Sequence, residues 1–380
     1  MTTDILPCDP CSISFSNESV LINSESTLTA LNKACYHLQS HPIVFPTETV
    51  YGLGALALHS PSLSKIFEIK NRPADNPLII HISSLSMLYS ILPPFYSFPK
   101  SYSCLISHFW PGPLTLLFPS NPDIIPNIIT ASQPTIAVRM PSHPVARALI
   151  ALSNSPIAAP SANTSGKPSP TKALHVYHDL KGKIPLILDG GDCDFGLEST
   201  VIDGLHQDGN IRILRPGGIT LEQIQNILLL NFDHPPKVLV HNRDYQDHLL
   251  ENAPSTPGMK YRHYSPSIPL TLLLTIPENS SIPLSQFLSS LNPSHKIGVL
   301  APSDSPLIPH LPSSYSFHPL GPLSKPGIIA HNLFDGLISL EKSGIDHILI
   351  QQIDDHNEGL AVMNRVRKAA SQVVSVDLSL

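Results

Sequence analysis

Apolar and polar residues alternate along this chain with two different periods. From Leu28 to Leu38 the side chains of Leu28, Leu31 and Leu38, with Ala34 and Cys35 between them, follow a helical spacing that His41-Pro42 closes. Short apolar runs bounded by Pro, Gly or polar residues predict strands at Ile43 to Pro46, Leu78 to Ile82, Leu114 to Phe118, Thr135 to Met140, Ile157 to Ala159, Leu186 to Asp189, Ser199 to Asp203 and Ile211 to Arg215. Helical spacing returns around His143 to Leu152, Thr171 to Leu180 and Thr220 to Leu230. Strands interleaved with helices predict an α/β fold, with the pairing order left open.

After Leu230 the pattern lapses. Residues 231–268 are polar, rich in His and Pro and without a sustained period, and a connection that long is a functional cover or a disordered spacer. Alternation restarts at Leu270 to Thr275. A helix near Leu284 to Leu291, strands at Ile297 to Ala301 and His347 to Gln351, and helices near Ile328 to Lys342 and from Gly359 to Ala370 then predict a second, smaller, doubly wound α/β unit.

Composition narrows the class. Of 380 residues 42% are hydrophobic, enough for two cores, which excludes disorder as the overall state. The 40 prolines have no Gly-X-Y period, so collagen is excluded as well. No run of eighteen apolar residues predicts a membrane span, and the opening MTTDILPCDPCSIS predicts neither a secretory signal nor a transit peptide. Five cysteines make no disulfide framework; a reducing, cytoplasmic location is expected. The net charge of −6 argues against a surface that grips nucleic acid throughout. It is uneven, however. Thr135 to Lys183 holds six bases (Arg139, Arg147, Lys167, Lys172, Lys181, Lys183) against Asp179 alone, which reads either as a local anion site or as a solvated helix face plus a loop.

Several familiar patterns fail on their context. Gly52-Leu53-Gly54-Ala55-Leu56-Ala57 imitates a dinucleotide fingerprint, but Thr47-Glu48-Thr49 intervenes after the strand and the acid at the right spacing, Asp75, lies in a proline-flanked loop. Gly166-Lys167 is followed by Pro168, so it is not a phosphate-binding Walker loop. Cys8 and Cys11 form one pair in an N-terminus expected to be frayed, with no second pair for zinc. No Gly-x-Ser-x-Gly elbow marks a serine hydrolase.

Four polar clusters sit where strands end: Thr47 to Gly52, Lys70 to Pro77, Arg139, and Pro160 to Ser169. Proline and glycine stiffen the second and fourth. Lys70 and Arg72, two apart, suit a polyphosphate as point charge and planar fork; they equally suit the C-terminus of a helix over Ser62 to Ile69. The small hydroxyl and amide residues from Ser161 to Ser165 let backbone approach an anion, or simply turn the chain into the next helix.

These stretches recur in a known order. Pro46-Thr47-Glu48-Thr49-Val50-Tyr51-Gly52-Leu53, Lys70-x-Arg72-Pro73 with Asn76-Pro77-Leu78, Trp110-Pro111-Gly112-Pro113, Val138-Arg139-Met140-Pro141, Pro160-Ser161-Ala162-Asn163, Glu198-Ser199-Thr200-Val201 and Arg215-Pro216-Gly217 together resemble the YrdC/Sua5 family of threonylcarbamoyl-AMP synthases. Pro257 to Pro266 and Gly359 to Ala370 look like its longer, Sua5 type. The resemblance implies a YrdC-like twisted mixed sheet with helices around a basic cavity over 24–230, a connector and active-site lid over 231–268, and a smaller Rossmann-like α/β domain over 269–380. It implies synthesis of threonylcarbamoyl-AMP and pyrophosphate from L-threonine, bicarbonate or CO₂, and ATP with Mg²⁺. A downstream threonylcarbamoyl-transferase complex would place the product on tRNA as t6A. The threonine amine would capture CO₂, and the carbamate oxygen would then attack the α-phosphate, so no protein nucleophile is required.

By motif, the resemblance assigns Thr49, His81, Arg139, Ser199 and a backbone contact from Ala159 to threonine. Lys70 and Arg72 are the expected catalytic cations on the phosphates. Arg72, Asn76, Thr135, Ser161, Asn163, Ser169 and Arg215 would line the ATP site, with His263 and Tyr264 reaching the nucleotide from the connector. His81 fits a hydrogen-bond donor to the threonine side chain or a core histidine better than a general base. Three other classes compete: a weak double-stranded RNA or tRNA binder, a carbamoyltransferase of the hydrogenase-maturation type (which would need paired zinc-finger cysteines absent here), and a nucleotide sensor without turnover.

Overall fold

The first long helix begins one turn before the expected Leu28. Ser24 Oγ accepts the Thr27 N–H and caps Glu25–Leu38, and the buried stripe is Thr27, Ala30, Leu31, Ala34 and Leu38, with Leu28 at its exposed edge. In the computed structural model the described residues are 1–16, 18–247, 263–275 and 281–378. They form two units: Met1–Ser165, Ser169–Asp194 and Glu198–Tyr261 in the larger, and Gly166–Pro168, Phe195–Leu197 and Arg262–Leu380 in the smaller.

The larger unit is built on an eleven-stranded mixed sheet. Its order is Asp4–Pro7, Leu186–Asp189, Ile43–Phe45, Gly52–Leu56, Ile157–Ala158, Ile79–His81, Thr135–Arg139, Leu114–Pro119, Thr200–Asp203, Ile211–Arg215 and Val238–Val240. One core packs the helices Glu25–Leu38 and Pro144–Leu152 on Ile43, Phe45, Ile157, Leu186 and Leu188. Helix Leu221–Asn231 opens with a capping box between Thr220 and Gln223.

Two expectations need correction, and one strand was not foreseen. The N-terminus is not frayed: Asp4–Pro7 adds a parallel strand beside Leu186–Asp189, and Ile13–Ser16 pairs with Ser19–Ile22 as a hairpin. Cys8 is buried there, its thiol pushed up to about 12 by desolvation and then by Asp189. Gly52–Leu56 is a strand that the apolar runs do not predict. A Cβ on Gly54 would lie 2.5 Å from Phe45 Cε1 and 2.7 Å from Ile157 Cγ2, so glycine leaves room for side chains of the two flanking strands. The stretch after Leu230 is not wholly irregular either, because Val238–Val240 pairs in parallel with Ile211–Arg215. Residues 248–262 of that connector, including most of the Pro257 to Pro266 motif, lie outside the described residues.

The smaller unit is a six-stranded, all-parallel sheet ordered Ile282–Pro283, Gln372–Asp377, Leu270–Leu274, His347–Gln351, Ile297–Ala301 and Ser316–Pro319. Helices Leu284–Ser290, Pro326–Lys342 and Glu358–Ala369 accompany it, and Leu273, Val299, Leu307, Leu349 and Phe287 belong to one core. No helix among the described residues is long and apolar enough to cross a membrane.

Candidate active site

Parallel pairing of Ile79–His81 with Thr135–Arg139 sets the site's geometry. His81 stands opposite Arg139, which in turn pairs with Thr115 on the far side. Side chains two apart share a face, so Ile79, His81, Thr135, Ala137 and Arg139 point the same way. Ile79, Ala137, Leu117, Val201 and Leu214 form a small apolar patch of their own, apart from the main core. Thr135 and Arg139 flank this floor, about 13 Å apart at ~3.3 Å per residue.

At the Arg139 end the loop Pro46 to Tyr51 is folded on itself. Thr47 Oγ1 donates to Val50 O at 2.6 Å and meets Thr49 Oγ1 at 2.8 Å. Arg139 Nη1 donates to Thr49 Oγ1 at 2.9 Å. Its Nη2 lies 2.6 Å from Glu48 Oε1, yet not in hydrogen-bond alignment. Nε and Nη2 of Arg139 and both Glu48 oxygens therefore have no hydrogen-bond partner among the described residues. Both side chains are buried. This is charge compensation without directional saturation.

His81 is 4% exposed, and its Nδ1 lies 3.2 Å from Ile79 O. Burial, then the Arg139 charge, lowers its pKa to about 3, so the ring is neutral near pH 7. Ser199 Oγ meets Thr115 Oγ1 at 2.8 Å, and Arg215 Nη2 donates to Ser199 O at 2.9 Å. A Cβ on Gly217 would sit 2.2 Å from Glu198 O, so glycine there is what allows the Arg215-Pro216-Gly217 turn to lie against the Ser199 backbone. Ala159 is 5% exposed, its N–H spent on Ile79 O at 3.0 Å.

Lys70 ends helix Ser60–Lys70, whose cap Asn71 is left-handed, so the helix-terminus placement is met. The side chain nevertheless leaves the helix. Lys70 Nζ donates to Ser161 O at 2.6 Å and also to Asn163 O, tying the second and fourth clusters together. Burial, then Arg72, pushes this ammonium well below the usual lysine range. Arg72 donates through Nη2 to Pro77 O at 2.8 Å and through Nε to Asn76 O at 3.2 Å. From the register, Pro77 is level with Thr135, so Arg72 and Asn76 belong to the Thr135 end of the floor. Ser169 Oγ donates to Glu198 Oε1 at 2.5 Å, beside Ser199.

Tyr264 is 1% exposed within the smaller unit, stacked on Phe334 at 5.5 Å with the Arg365 guanidinium 5.5 Å from its ring, and His263 packs edge-on against it. The basic segment disperses. Arg139 is in the site, but Arg147 lies over the Phe15 ring at 3.9 Å, Lys172 is 3.7 Å from Asp192, and Lys181 and Lys183 are exposed. The site takes Lys70, Arg72 and Arg215 from outside that segment. Glu48, Thr115 and Glu198 had no assigned role; Thr115 could have been noticed as the polar residue within the strand Leu114–Pro119.

Comparison with known proteins agrees in both units. A family model described as "Telomere recombination" matches residues 38–217, and one described as "Threonylcarbamoyl-AMP synthase, C-terminal domain" matches residues 219–371. The chain is 44% identical to a threonylcarbamoyl-AMP synthase of Schizosaccharomyces pombe, over 94% of this chain and 92% of that one. Identity to the Bacillus subtilis protein of the same name is 41%, over 87% and 90%. The crystal structure of Pyrococcus abyssi Sua5 complexed with L-threonine superposes with a TM-score of 0.80 at 37% identity, covering 98% and 99% of the two chains.

Proposed function

The chain belongs to the YrdC/Sua5 family of threonylcarbamoyl-AMP synthases, and on that premise we propose how its side chains divide the reaction. The activity is threonylcarbamoyl-AMP synthesis, with ATP as a substrate. L-Threonine, the ligand of the Pyrococcus abyssi protein, takes the Arg139 end: its carboxylate meets the unfilled guanidinium edge, and Thr49, His81, Ser199 and the Ala159 backbone surround the rest. The unfilled edge of a buried, pre-oriented Arg139 carries this assignment. ATP takes the other end, with Lys70 and Arg72 on its phosphates and Asn76, Thr135, Ser161, Asn163, Ser169 and Arg215 around it. Ile79, Ala137 and Leu117 give it an apolar floor.

The threonine nitrogen bonds to the carbon of CO₂, drawn from bicarbonate, and sheds its proton to solvent. A carbamate oxygen then bonds to the α-phosphorus as the bond to pyrophosphate breaks. Positioning and neutralisation of phosphate charge suffice. Mg²⁺ would enter as the companion of the ATP phosphates, held by phosphate oxygens and water. The product is a labile mixed anhydride destined for t6A on tRNA through a downstream transferase, which makes a water-excluding role for 231–268, with His263 and Tyr264, chemically apt.

Purified protein, ATP, L-threonine and labelled bicarbonate test the assignment. Label should appear in an adenylate with one pyrophosphate per turnover. Pyrophosphate release that ignores threonine would refute it.

A further inference from the structure

One buried carboxylate of the larger unit is left without a part in the reaction. Glu48 lies in the folded loop Pro46 to Tyr51 and is 1% exposed, with Oε1 2.6 Å from Arg139 Nη2. An ionised carboxylate can accept about four hydrogen bonds. Glu48 accepts none among the described residues, so it has given up water without regaining donors, which is costly in a folded interior. Arg139 balances its charge but does not satisfy its lone pairs.

The surroundings do not supply the missing donors. Thr47 Oγ1 donates to Val50 O, and Thr49 Oγ1 accepts from Arg139 Nη1. The charge of Glu48 is felt by two further titratable side chains, His143 and Cys193. Burial lowers the pKa of His143, whose Nδ1 accepts the Val145 N–H at 3.3 Å, so this ring is neutral near pH 7. Burial raises that of the Cys193 thiol, which stays protonated. Among the described residues Arg139 is the only cation paired with Glu48.

A guanidinium and a carboxylate side by side, buried and together neutral, are the complement of a zwitterion. In an α-amino acid a single carbon separates the carboxylate from the ammonium. A carboxylate on the Nε and Nη2 edge of Arg139 thus brings an ammonium, a donor with no acceptor of its own, beside Glu48. A carboxylic acid without the amine would set two like charges on one guanidinium and leave Glu48 unsatisfied. We propose that Glu48 is a specificity-determining residue of the synthase, accepting from the α-ammonium of threonine, so that the Glu48–Arg139 pair selects α-amino acids over acids that lack the amine. This rests on the placement of the threonine carboxylate at Arg139. The same contact fixes the nitrogen before CO₂ arrives.

Calorimetry on the full-length chain would give the dissociation constants of L-threonine and of (R)-3-hydroxybutanoate, the same molecule with hydrogen in place of the amine. Wild type should bind the analogue at least about 100-fold more weakly. Glu48→Gln should reduce that ratio about tenfold or more, and Glu48→Asp, which keeps the charge but withdraws it by one carbon, should reduce it several-fold. Arg139→Lys should weaken both ligands and leave the ratio nearly intact. Urea unfolding followed by Trp110 fluorescence checks the fold of each variant. Comparable affinities of wild type for the two ligands would overturn the proposal without any variant. So would a ratio that Glu48→Asp leaves intact, which would make Glu48 a counter-charge of Arg139 and nothing more. Binding of both ligands unchanged by Arg139→Lys would instead refute the carboxylate placement, and the proposal with it.

Discussion

Replacing His81 with Asn tests the electrostatics of the Arg139 end. In the folded chain burial, then Arg139, holds the imidazole at about 3; in the unfolded chain it titrates near 6.5. Between those values only the unfolded chain binds the proton. The folded state therefore has its full stability from this group above pH 6.5 and loses it as the pH falls toward 3, at ~1.4 kcal/mol per pH unit once well below 6.5. From about pH 7.5 to about pH 4.5 the loss comes to about 2.7 kcal/mol. Burial at 4% exposure leaves little solvent screening to reduce it. Trp110, the only tryptophan, lies buried in the same unit, its indole N–H on Leu114 O, so its fluorescence reports the unfolding of that unit by urea. Wild type should lose about 2.7 kcal/mol more than His81→Asn over that interval. Parallel pH dependences in the two proteins would refute the reasoning. The same pKa makes His81 a poor proton acceptor near neutrality, so kcat/KM should show no limb from it between about pH 5.5 and 8.

Arg139→Lys keeps the charge and loses the fork, so KM for threonine should rise at least ~10-fold while KM for ATP moves little, measured in the pyrophosphate assay. Lys70→Ala or Arg72→Ala should each lower kcat/KM by about 3 kcal/mol of transition-state stabilisation; a loss confined to KM would contradict their placement on the reacting phosphates. Gly217→Ala drives a methyl into Glu198 O and should cost about 1–3 kcal/mol in urea unfolding while raising KM for threonine through displaced Ser199. A chain ending after Asp247 retains the edge strand Val238–Val240, which a cut after Leu230 would remove. It should fold, by circular dichroism and the Trp110 signal, yet turn over far more slowly; full turnover would dispose of the covering role of the connector.

Strands such as Leu186–Asp189 and Ile211–Arg215 were legible because their short, mainly apolar runs are stopped by Gly190 and Pro216, and both end at the residues expected. Strands at the sheet's margins were not. Asp4–Pro7 carries Asp and Pro, and Val238–Val240 has only three residues amid prolines; their pairing comes from neighbours distant in sequence. Gly52–Leu56 was obscured because its glycines serve a packing need that only the strands paired beside it reveal. Charge counting misled for a related reason. Proximity in sequence grouped Lys181 and Lys183 with Arg139, whereas the fold leaves the two lysines in solvent and brings Lys70, at the end of a distant helix, to Ser161 and Asn163.

That recruitment gives the two ends of the floor different electrostatic characters. Arg139 is compensated in advance by Glu48 at 2.6 Å, so this end is near neutrality, and under the proposed assignment the threonine carboxylate answers a residual need for directional hydrogen bonding. Lys70 donates to two backbone carbonyls, which orient the ammonium without cancelling its charge. Burial and the neighbouring Arg72 make that charge costly, and both penalties fall when a polyanion binds. One end thus suits an amino acid, where a net charge would only tighten ground-state binding. The other holds positive charge in a low-dielectric setting, where growing negative charge on a leaving pyrophosphate is stabilised most. A fold that exchanged these partners, pairing Lys70 with the carboxylate and leaving Arg139 to carbonyls, would bind both substrates with the same residues and lose the differential that drives the chemical step.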